Sequence, residues 1–165
     1  MPCTAPAPRR SGVSGPFGTP LQLTEPLHEV NDKLTIGNAA IDSQEFRRWI
    51  VGDIESWTGG ALNAADRDRI GLRDSKDLEL RWVIHPKGER RPGGWASRSE
   101  KRAISILIRG SFVVSFRDPL DYEALEEVSL RELGDYVVWA EELEHHWRAE
   151  DDSLVLTVRW LPGRT

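Results

Sequence analysis

The sequence has a single cysteine among its 165 residues, and this scarcity excludes two classes of small domain. Cys3 cannot form a disulfide within the chain, and a cysteine-built zinc site would need several thiolates. The sequence also lacks any run of about 18 apolar residues, which a membrane-spanning helix requires. No apolar segment follows Arg9 and Arg10, so no secretory signal is predicted. We therefore expect a cytoplasmic protein without a membrane partner.

The sequence is also poor in uncompensated positive charge. Its 22 basic residues are interleaved with 27 acidic ones, and the net charge is −5. Nothing in this balance favours nucleic acid as a partner. The sequence also contains no Gly-rich phosphate loop and no Gly-x-Ser-x-Gly motif. The usual signals of phosphate chemistry and of a serine nucleophile are therefore missing.

Proline and tryptophan divide the chain into two parts. Residues 1–20 contain five prolines, which predicts an extended tail, whereas residues 21–165 are predicted to form one domain. Within that domain, residues 21–41 suggest an extended arm, and residues 46–54 favour a short strand over a helix. Seven tryptophans provide bulky packing material for a core.

Short strands at close spacing dominate the rest of the chain. Residues 78–85 alternate strictly, and residues 103–108 and 111–117 follow as a hairpin. Residues 118–126 are interpreted as an acidic loop. Four further short strands complete the pattern, at residues 127–130, 136–139, 145–148 and 154–160. With hardly any helix, this pattern predicts an all-β antiparallel barrel or sandwich.

The segment from Gly134 to Ala149 resembles the second signature of the cupin superfamily. That signature places Gly, Pro, Gly, His and Asn at fixed intervals. Gly134 and His145 match in register, whereas Ala140, Glu142 and Ala149 stand where the signature has Pro, Gly and Asn. Residues 82–91 and 105–110, with the final strand, look like a bacterial single-domain subgroup that is often mislabelled signal peptidase. No Ser-Lys dyad supports the peptidase label.

The resemblance implies a cupin-type jelly-roll β-barrel with an N-terminal extended arm, and it implies a homodimer. It also implies where a metal would bind, since the first cupin signature uses His-x-His, then Glu, then Gly. Gly110 fits the last position, but Ala103 stands at the Glu position, and residues 94–99 contain no histidine. One imidazole does not hold a divalent ion, so we expect no metal cofactor. A rearranged site from His85, Glu100 and His145 is the alternative.

Seven residues are candidates for a ligand site in the barrel lumen. His145 is the candidate catalytic residue, and Trp147 shares its face of the strand, while His146 points the other way. The acidic run before His145 would favour its protonated form if it lies close. Ser105 and Leu107 share the face of the vacant Glu position, and Trp95 lies in the loop where metal ligands would be. Arg81 and His85 would line the lumen in one orientation of their strand; we expect the opposite one, with Leu80, Trp82 and Ile84 facing the core.

These observations support three functional hypotheses. The first is a metal-independent small-molecule-binding cupin that performs acid–base chemistry, such as isomerisation or cyclisation, through His145. The second is a metal-dependent dioxygenase or isomerase with rearranged ligands. The third is a non-catalytic ligand sensor or interaction module. Replacing His145 with alanine would abolish catalysis under the first and alter affinity only under the third.

Overall fold

Two antiparallel sheets form the bulk of the structure, a computed structural model that describes residues 37–45, 48–57, 59–60 and 73–163. The predicted tail at residues 1–20 and most of the predicted arm lie outside these ranges. The elements, in chain order, are α1 (Ala39–Glu45), β1 (Trp49–Val51), α2 (Ile54–Trp57), β2 (Leu78–His85), β3 (Arg102–Arg109), β4 (Phe112–Asp118), β5 (Asp121–Leu130), β6 (Tyr136–Trp139), β7 (Glu144–Ala149) and β8 (Ser153–Trp160).

The larger sheet has five strands in the order β1-β2-β8-β3-β6, and the smaller has three in the order β5-β4-β7. Every pair of neighbouring strands is antiparallel. Within the described ranges, no strand of one sheet pairs with a strand of the other. The predicted all-β jelly-roll class is therefore confirmed, with two packed sheets left open instead of a closed barrel.

The hydrophobic core lies between the two sheets. Leu107 and Val155 of the larger sheet pack against Phe112, Val114 and Phe116 of β4. Phe112 and Val114 are both less than 4% exposed. Burial of aromatic and branched side chains at this depth contributes about 1.5–3 kcal/mol for each side chain. This contact holds the sheets together and leaves a cavity beside it.

The orientation of β2 corrects a prediction. Leu80, Trp82 and Ile84 were expected to face the core, but Ile84 is 50% exposed, whereas Glu79 and His85 are 7% and 4% exposed. The polar face of β2 therefore points between the sheets. Burial is feasible because both buried groups have partners: Glu79 binds Lys101, and His85 binds Glu89.

Two segments differ from the predicted secondary structure. Residues 118–126 were interpreted as a loop, yet β5 begins at Asp121 and pairs with β4, with Ser115 opposite Glu127 and Phe116 opposite Glu126. Its acidic residues are compatible with a strand because Glu126 and Glu127 are exposed. The helix α1 was also not predicted, since residues 39–41 were assigned to the extended arm.

Gly110 makes the turn that carries the chain from the larger sheet to the smaller one. Its φ of +95° lies in the region that glycine favours. A Cβ at this position would lie 2.4 Å from the carbonyl oxygen of Asp152 and 2.5 Å from Ser153 Oγ. The start of β8 therefore packs against the glycine backbone itself. None of the helices in the described ranges is long and apolar enough to cross a membrane.

Candidate functional site

A cavity of about 390 Å³ lies between the two sheets, next to the hydrophobic core. Its wall combines aromatic rings with basic and hydroxyl side chains, which is the mixture expected of a small-molecule site. Strands of both sheets and the loop between β2 and β3 contribute to it. The lining side chains are Trp49, Arg81, Val83, His85, Arg91, Ala96, Ser97, Arg98, Ser99, Ser105, Phe112, Val114, Trp139, His145, Trp147, Val155, Thr157 and Arg159.

Strand register explains why the polar side chains of the larger sheet meet in one place. Arg81 of β2 lies opposite Trp49 of β1 on one side and opposite Thr157 of β8 on the other. Ser105 of β3 lies opposite Thr157 in turn. Directly paired residues of neighbouring strands point to the same face of a sheet. These four residues therefore form one row across the inner face, and Ser105 and Thr157 share a hydrogen bond of 2.8 Å.

Arg81 is held in this row without a carboxylate. Its guanidinium carbon lies 5.5 Å from the centre of the Trp49 ring, a cation–π distance. Its Nε is buried and has no hydrogen-bond partner among the described residues. Burial, together with the positive charges of Arg48 and Arg159, lowers the pKa of Arg81 to about 10. The side chain remains charged at neutral pH.

A buried ion cluster forms one end of the wall. Glu79 Oε1 accepts a hydrogen bond of 2.8 Å from Lys101 Nζ. Its other oxygen, Oε2, lies 2.9 Å from a terminal nitrogen of Arg159. Arg159 also donates a hydrogen bond of 2.6 Å to Ser99 Oγ. One carboxylate thus fixes two cations, of which Arg159 faces the cavity.

His85 and Glu89 form a second buried pair. His85 Nδ1 and Glu89 Oε2 lie 2.6 Å apart, so the ring nitrogen donates to the carboxylate and the other nitrogen is left as an acceptor. The imidazole packs against Trp147, with ring centres 4.4 Å apart, and against Phe112. Burial lowers the pKa of His85, while the hydrogen bond and charge of Glu89 oppose that change.

His145 lies on the opposite wall, on β7. It shares a face with Trp147 and stacks near Trp139, with ring centres 5.2 Å apart. Its Nδ1 is buried and has no hydrogen-bond partner among the described residues. Burial and the neighbouring charges of Arg91 and Arg159 lower the pKa of His145 to about 4. The acidic run that precedes it therefore does not favour the protonated form, and the ring is neutral at pH 7.

The structure brings five of the seven predicted residues together on the cavity wall. Those five are Arg81, His85, Ser105, His145 and Trp147. Leu107 has the predicted orientation but is fully buried in the core. Trp95 lies elsewhere: its ring lies 6.0 Å from that of His146 and 4.4 Å from the guanidinium of Arg117, on the outer side of β7. The next residue, Ala96, lines the cavity instead. It forms a β-bridge with His145, and because successive residues of an extended chain point to opposite sides, Trp95 points away from the cavity.

Several lining residues escaped the sequence analysis. Arg159 and Thr157 lie on β8, which alternates between apolar and polar residues from Leu156 onward, and Trp139 lies on β6. The sequence shows that these residues belong to strands, but it does not show which face of each strand points into the cavity. Arg91 and Trp49 come from a loop and a three-residue strand, for which the sequence contains no periodic signal.

The residues present do not fit the metal site of the cupin signature. Ala103 provides no ligand atom at the Glu position, and His145 alone remains from the set. Glu100 lines a different cavity beside Lys101, away from His85 and His145. Within the described ranges, no three His, Cys, Asp or Glu side chains form a group that could hold a metal ion. The arginines on the wall would also repel a cation.

Comparisons with known proteins gave matches among solved structures. No protein-family model matches the chain. The curated proteins likewise include no match. Among solved structures, the chain is similar to the conserved protein SPY1581 of unknown function from Streptococcus pyogenes, at 19% identity and a TM-score of 0.44, over 55% of this chain and 69% of that one.

Two further solved structures show the same level of likeness. KdgF from Halomonas sp. is 23% identical, with a TM-score of 0.43, over 54% of this chain and 74% of that one. A cupin superfamily protein from Desulfitobacterium hafniense, DSY2733, is 12% identical, with a TM-score of 0.44, over 53% of this chain and 71% of that one. At these identities and TM-scores, the matches carry no information about ligand or reaction.

Proposed function

We propose that this chain binds a small organic molecule in the cavity between its two sheets. The observation that carries the proposal is that Arg81 and His145, which both line the cavity, each hold a buried polar atom without a hydrogen-bond partner among the described residues, Arg81 Nε and His145 Nδ1. A buried polar group without a partner costs about 1–3 kcal/mol, so native proteins keep few of them. Two such residues on the wall of one cavity are explained if ligand binding brings a partner within reach of each atom.

The size and lining of the cavity support this proposal. Its volume of about 390 Å³ lies within the range of small-molecule sites, which is about 300–1,000 Å³. Trp49, Trp139, Trp147 and Phe112 provide flat apolar walls. Such walls favour a ligand with a planar, aromatic body, because ring contacts add to the free energy gained by burying apolar area.

Acid–base catalysis on the bound molecule is a second candidate, favoured by the contact between His85 and Glu89. A carboxylate that accepts from Nδ1 fixes the tautomer of the imidazole and stabilises the protonated ring when a proton arrives. His85 can therefore accept a proton from a ligand in the cavity. His145, the candidate from the sequence, is neutral at pH 7 and can also act as a base, but its pKa of about 4 makes it a weak one.

The test of binding uses two adjacent histidines that point to opposite faces of β7. A panel of small aromatic compounds is screened by ligand-observed NMR against the wild-type protein, and the dissociation constant of each hit is then measured. We expect His145→Ala to change the dissociation constant at least ten-fold, because it alters the cavity wall. His146→Ala is the matched control and should leave the constant unchanged within two-fold.

Equal effects of the two substitutions would contradict binding in the cavity. If a hit is converted to a product, the same variants separate catalysis from binding. If His145 only contacts the ligand, His145→Ala retains turnover at saturating ligand. Loss of turnover in His85→Gln would then identify His85 as the base.

A further inference from the structure

All ionisable side chains on the cavity wall are basic groups, within the part of the chain that the structure describes. Four arginines and two histidines line the cavity, and the lining includes no aspartate or glutamate. Two carboxylates lie just behind the wall. Glu79 is shared between Lys101 and Arg159, and Glu89 is engaged by His85. The cavity itself is therefore strongly positive, although the whole chain has a net charge of −5.

Arg81 is the cation in this wall with the least compensation. No carboxylate of the described residues forms an ion pair with it, and its Nε has no hydrogen-bond partner. Most of its charged neighbours are cations: Arg48, Arg159 and Arg91 lower its pKa, and Glu89 acts in the opposite direction. A buried charge in such a position is costly unless an opposite charge joins it.

Arg91 adds a second charge without an ion-pair partner among the described residues, from the loop between β2 and β3. Its guanidinium donates to the backbone carbonyl oxygens of Pro92 and Gly94, at 3.2 and 2.7 Å. These bonds fix the side chain in place but do not neutralise it. The guanidinium is thus held at the cavity wall, where its charge lowers the pKa of His145.

We propose that the ligand of this cavity is an anion, an aromatic molecule with a carboxylate or similar oxyanion that binds Arg81 in the field of Arg91 and Arg159. The inference deepens the proposed function and rests on it. A guanidinium presents a planar set of donors that matches a carboxylate, and charge-assisted bonds are about twice as strong as neutral ones. The tryptophans beside Arg81 then contact the ring of the ligand.

The test compares two probes that differ in charge and little in shape, 2-naphthoate and 2-naphthamide. Each is titrated into the purified full-length protein, and binding is followed by calorimetry and by quenching of tryptophan fluorescence. We expect the carboxylate to bind at least ten-fold more tightly than the amide. In Arg81→Gln the carboxylate should lose this advantage, while the affinity for the amide changes less than two-fold.

Two further variants keep the test interpretable. Arg109→Gln removes the same charge from an exposed position at the end of β3, outside the cavity lining, and should retain the ten-fold preference. Arg81→Lys keeps the charge but loses the planar set of donors, so part of the preference should remain. It also provides a folded comparison if Arg81→Gln proves unstable by circular dichroism.

Each other outcome overturns a defined part of the account. Equal affinity of the wild-type protein for both probes would refute the anion and leave cavity binding standing. A preference that persists in Arg81→Gln, or disappears equally in Arg109→Gln, would refute the role of Arg81. Failure of both probes to bind at millimolar concentration would refute the aromatic anion and, with it, the proposed aromatic ligand.

Discussion

On the inner face of the five-stranded sheet, polar side chains stand beside the apolar residues of the core, whereas the outer face is mostly apolar. The inner face carries Glu79, Arg81, His85, Thr157 and Arg159, all of which are buried or half-buried. The outer face of the same strands is almost entirely apolar. Its members are Leu80, Trp82, Ile84, Ile104, Ile106, Tyr136, Val138, Leu154, Leu156, Val158 and Trp160.

This difference shows that alternation of polar and apolar residues identifies a strand but does not show which of its two faces points inward. Hydrophobicity would have placed the outer face against the core, as the sequence analysis did for β2. The polar face of β2 is inside because Glu79 and His85 have partners there and because it lines a cavity beside the core. The inward polar face is therefore a candidate binding surface, and the outward apolar face, with Ile84, Tyr136 and Val138 exposed, is a candidate contact surface.

The largest expected effect comes from breaking the buried ion cluster of the inner face. Glu79→Gln leaves Lys101 and Arg159 without a counter-charge, which should lower the free energy of unfolding by about 3–5 kcal/mol. Urea unfolding measures the change. Glu141→Gln is the control, because the ion pair of Glu141 with Arg102 is exposed to water, so its loss should have little effect on the free energy of unfolding. Equal losses of unfolding free energy in the two variants would mean that the buried ion cluster contributes no more to stability than an exposed ion pair.

The second effect is a dependence of stability on pH that His145 causes. Its pKa in the folded protein is about 4, below the ordinary value of 6.5, so the unfolded chain binds the proton more tightly between these values. The contribution of neutral His145 to the free energy of unfolding is fully present above pH 6.5. It is lost as the pH falls toward 4, and the loss amounts to about 3 kcal/mol. His145→Gln should remove that part of the loss in urea titrations at pH 7 and pH 4. If His145→Gln loses as much unfolding free energy between pH 7 and pH 4 as the wild type does, His145 is exposed to solvent in the folded protein.

The third effect concerns the outer face. We expect a second copy of the chain to cover it, in line with the homodimer that the cupin resemblance implies, since self-association through one apolar patch gives a closed pair. Val138→Lys places a charge on this face and should raise the dimer dissociation constant at least ten-fold, or about 1.4 kcal/mol, by analytical ultracentrifugation. Leu133→Lys, in the exposed turn before β6, is the control. A monomeric wild-type protein would contradict this expectation.

The smallest effect tests the neutral polar pair of the inner face. Thr157→Val leaves the Ser105 hydroxyl without its partner and should cost about 1 kcal/mol in urea unfolding. The double variant Ser105→Ala and Thr157→Val removes both polar groups and should recover most of that loss. Additive losses would show that the two hydroxyls act independently.

The strands were largely predictable from the sequence, and the site only in part. Period-two alternation gave β2 with its bounds, and the Gly134–His145 spacing placed His145 on an inward face. The pairs that hold the site together join distant residues, such as Glu79 with Lys101 and Arg159. No local pattern encodes such contacts, because they depend on register between strands far apart in the sequence.

Errors arose where one signal had two physical explanations. Residues 118–126 were predicted as a loop because acidic segments often form loops, but β5 accommodates acidic residues since Glu126 and Glu127 are exposed to water. Trp95 occupies the loop that bears ligands in the cupin signature, but strand-like pairing of Ala96 with His145 turns it outward. In both cases tertiary pairing decided the outcome, as it commonly does for β structure.

The most direct test of the central claim is the side-chain NMR signal of Arg81 Nε–H during titration with 2-naphthoate. This hydrogen has no partner in the described structure, so a bound carboxylate should shift its resonance and slow its exchange with water. The same titration with 2-naphthamide should leave the signal nearly unchanged. Binding of 2-naphthoate with no change at Arg81 would show that the inner face of the sheet is not the anion site.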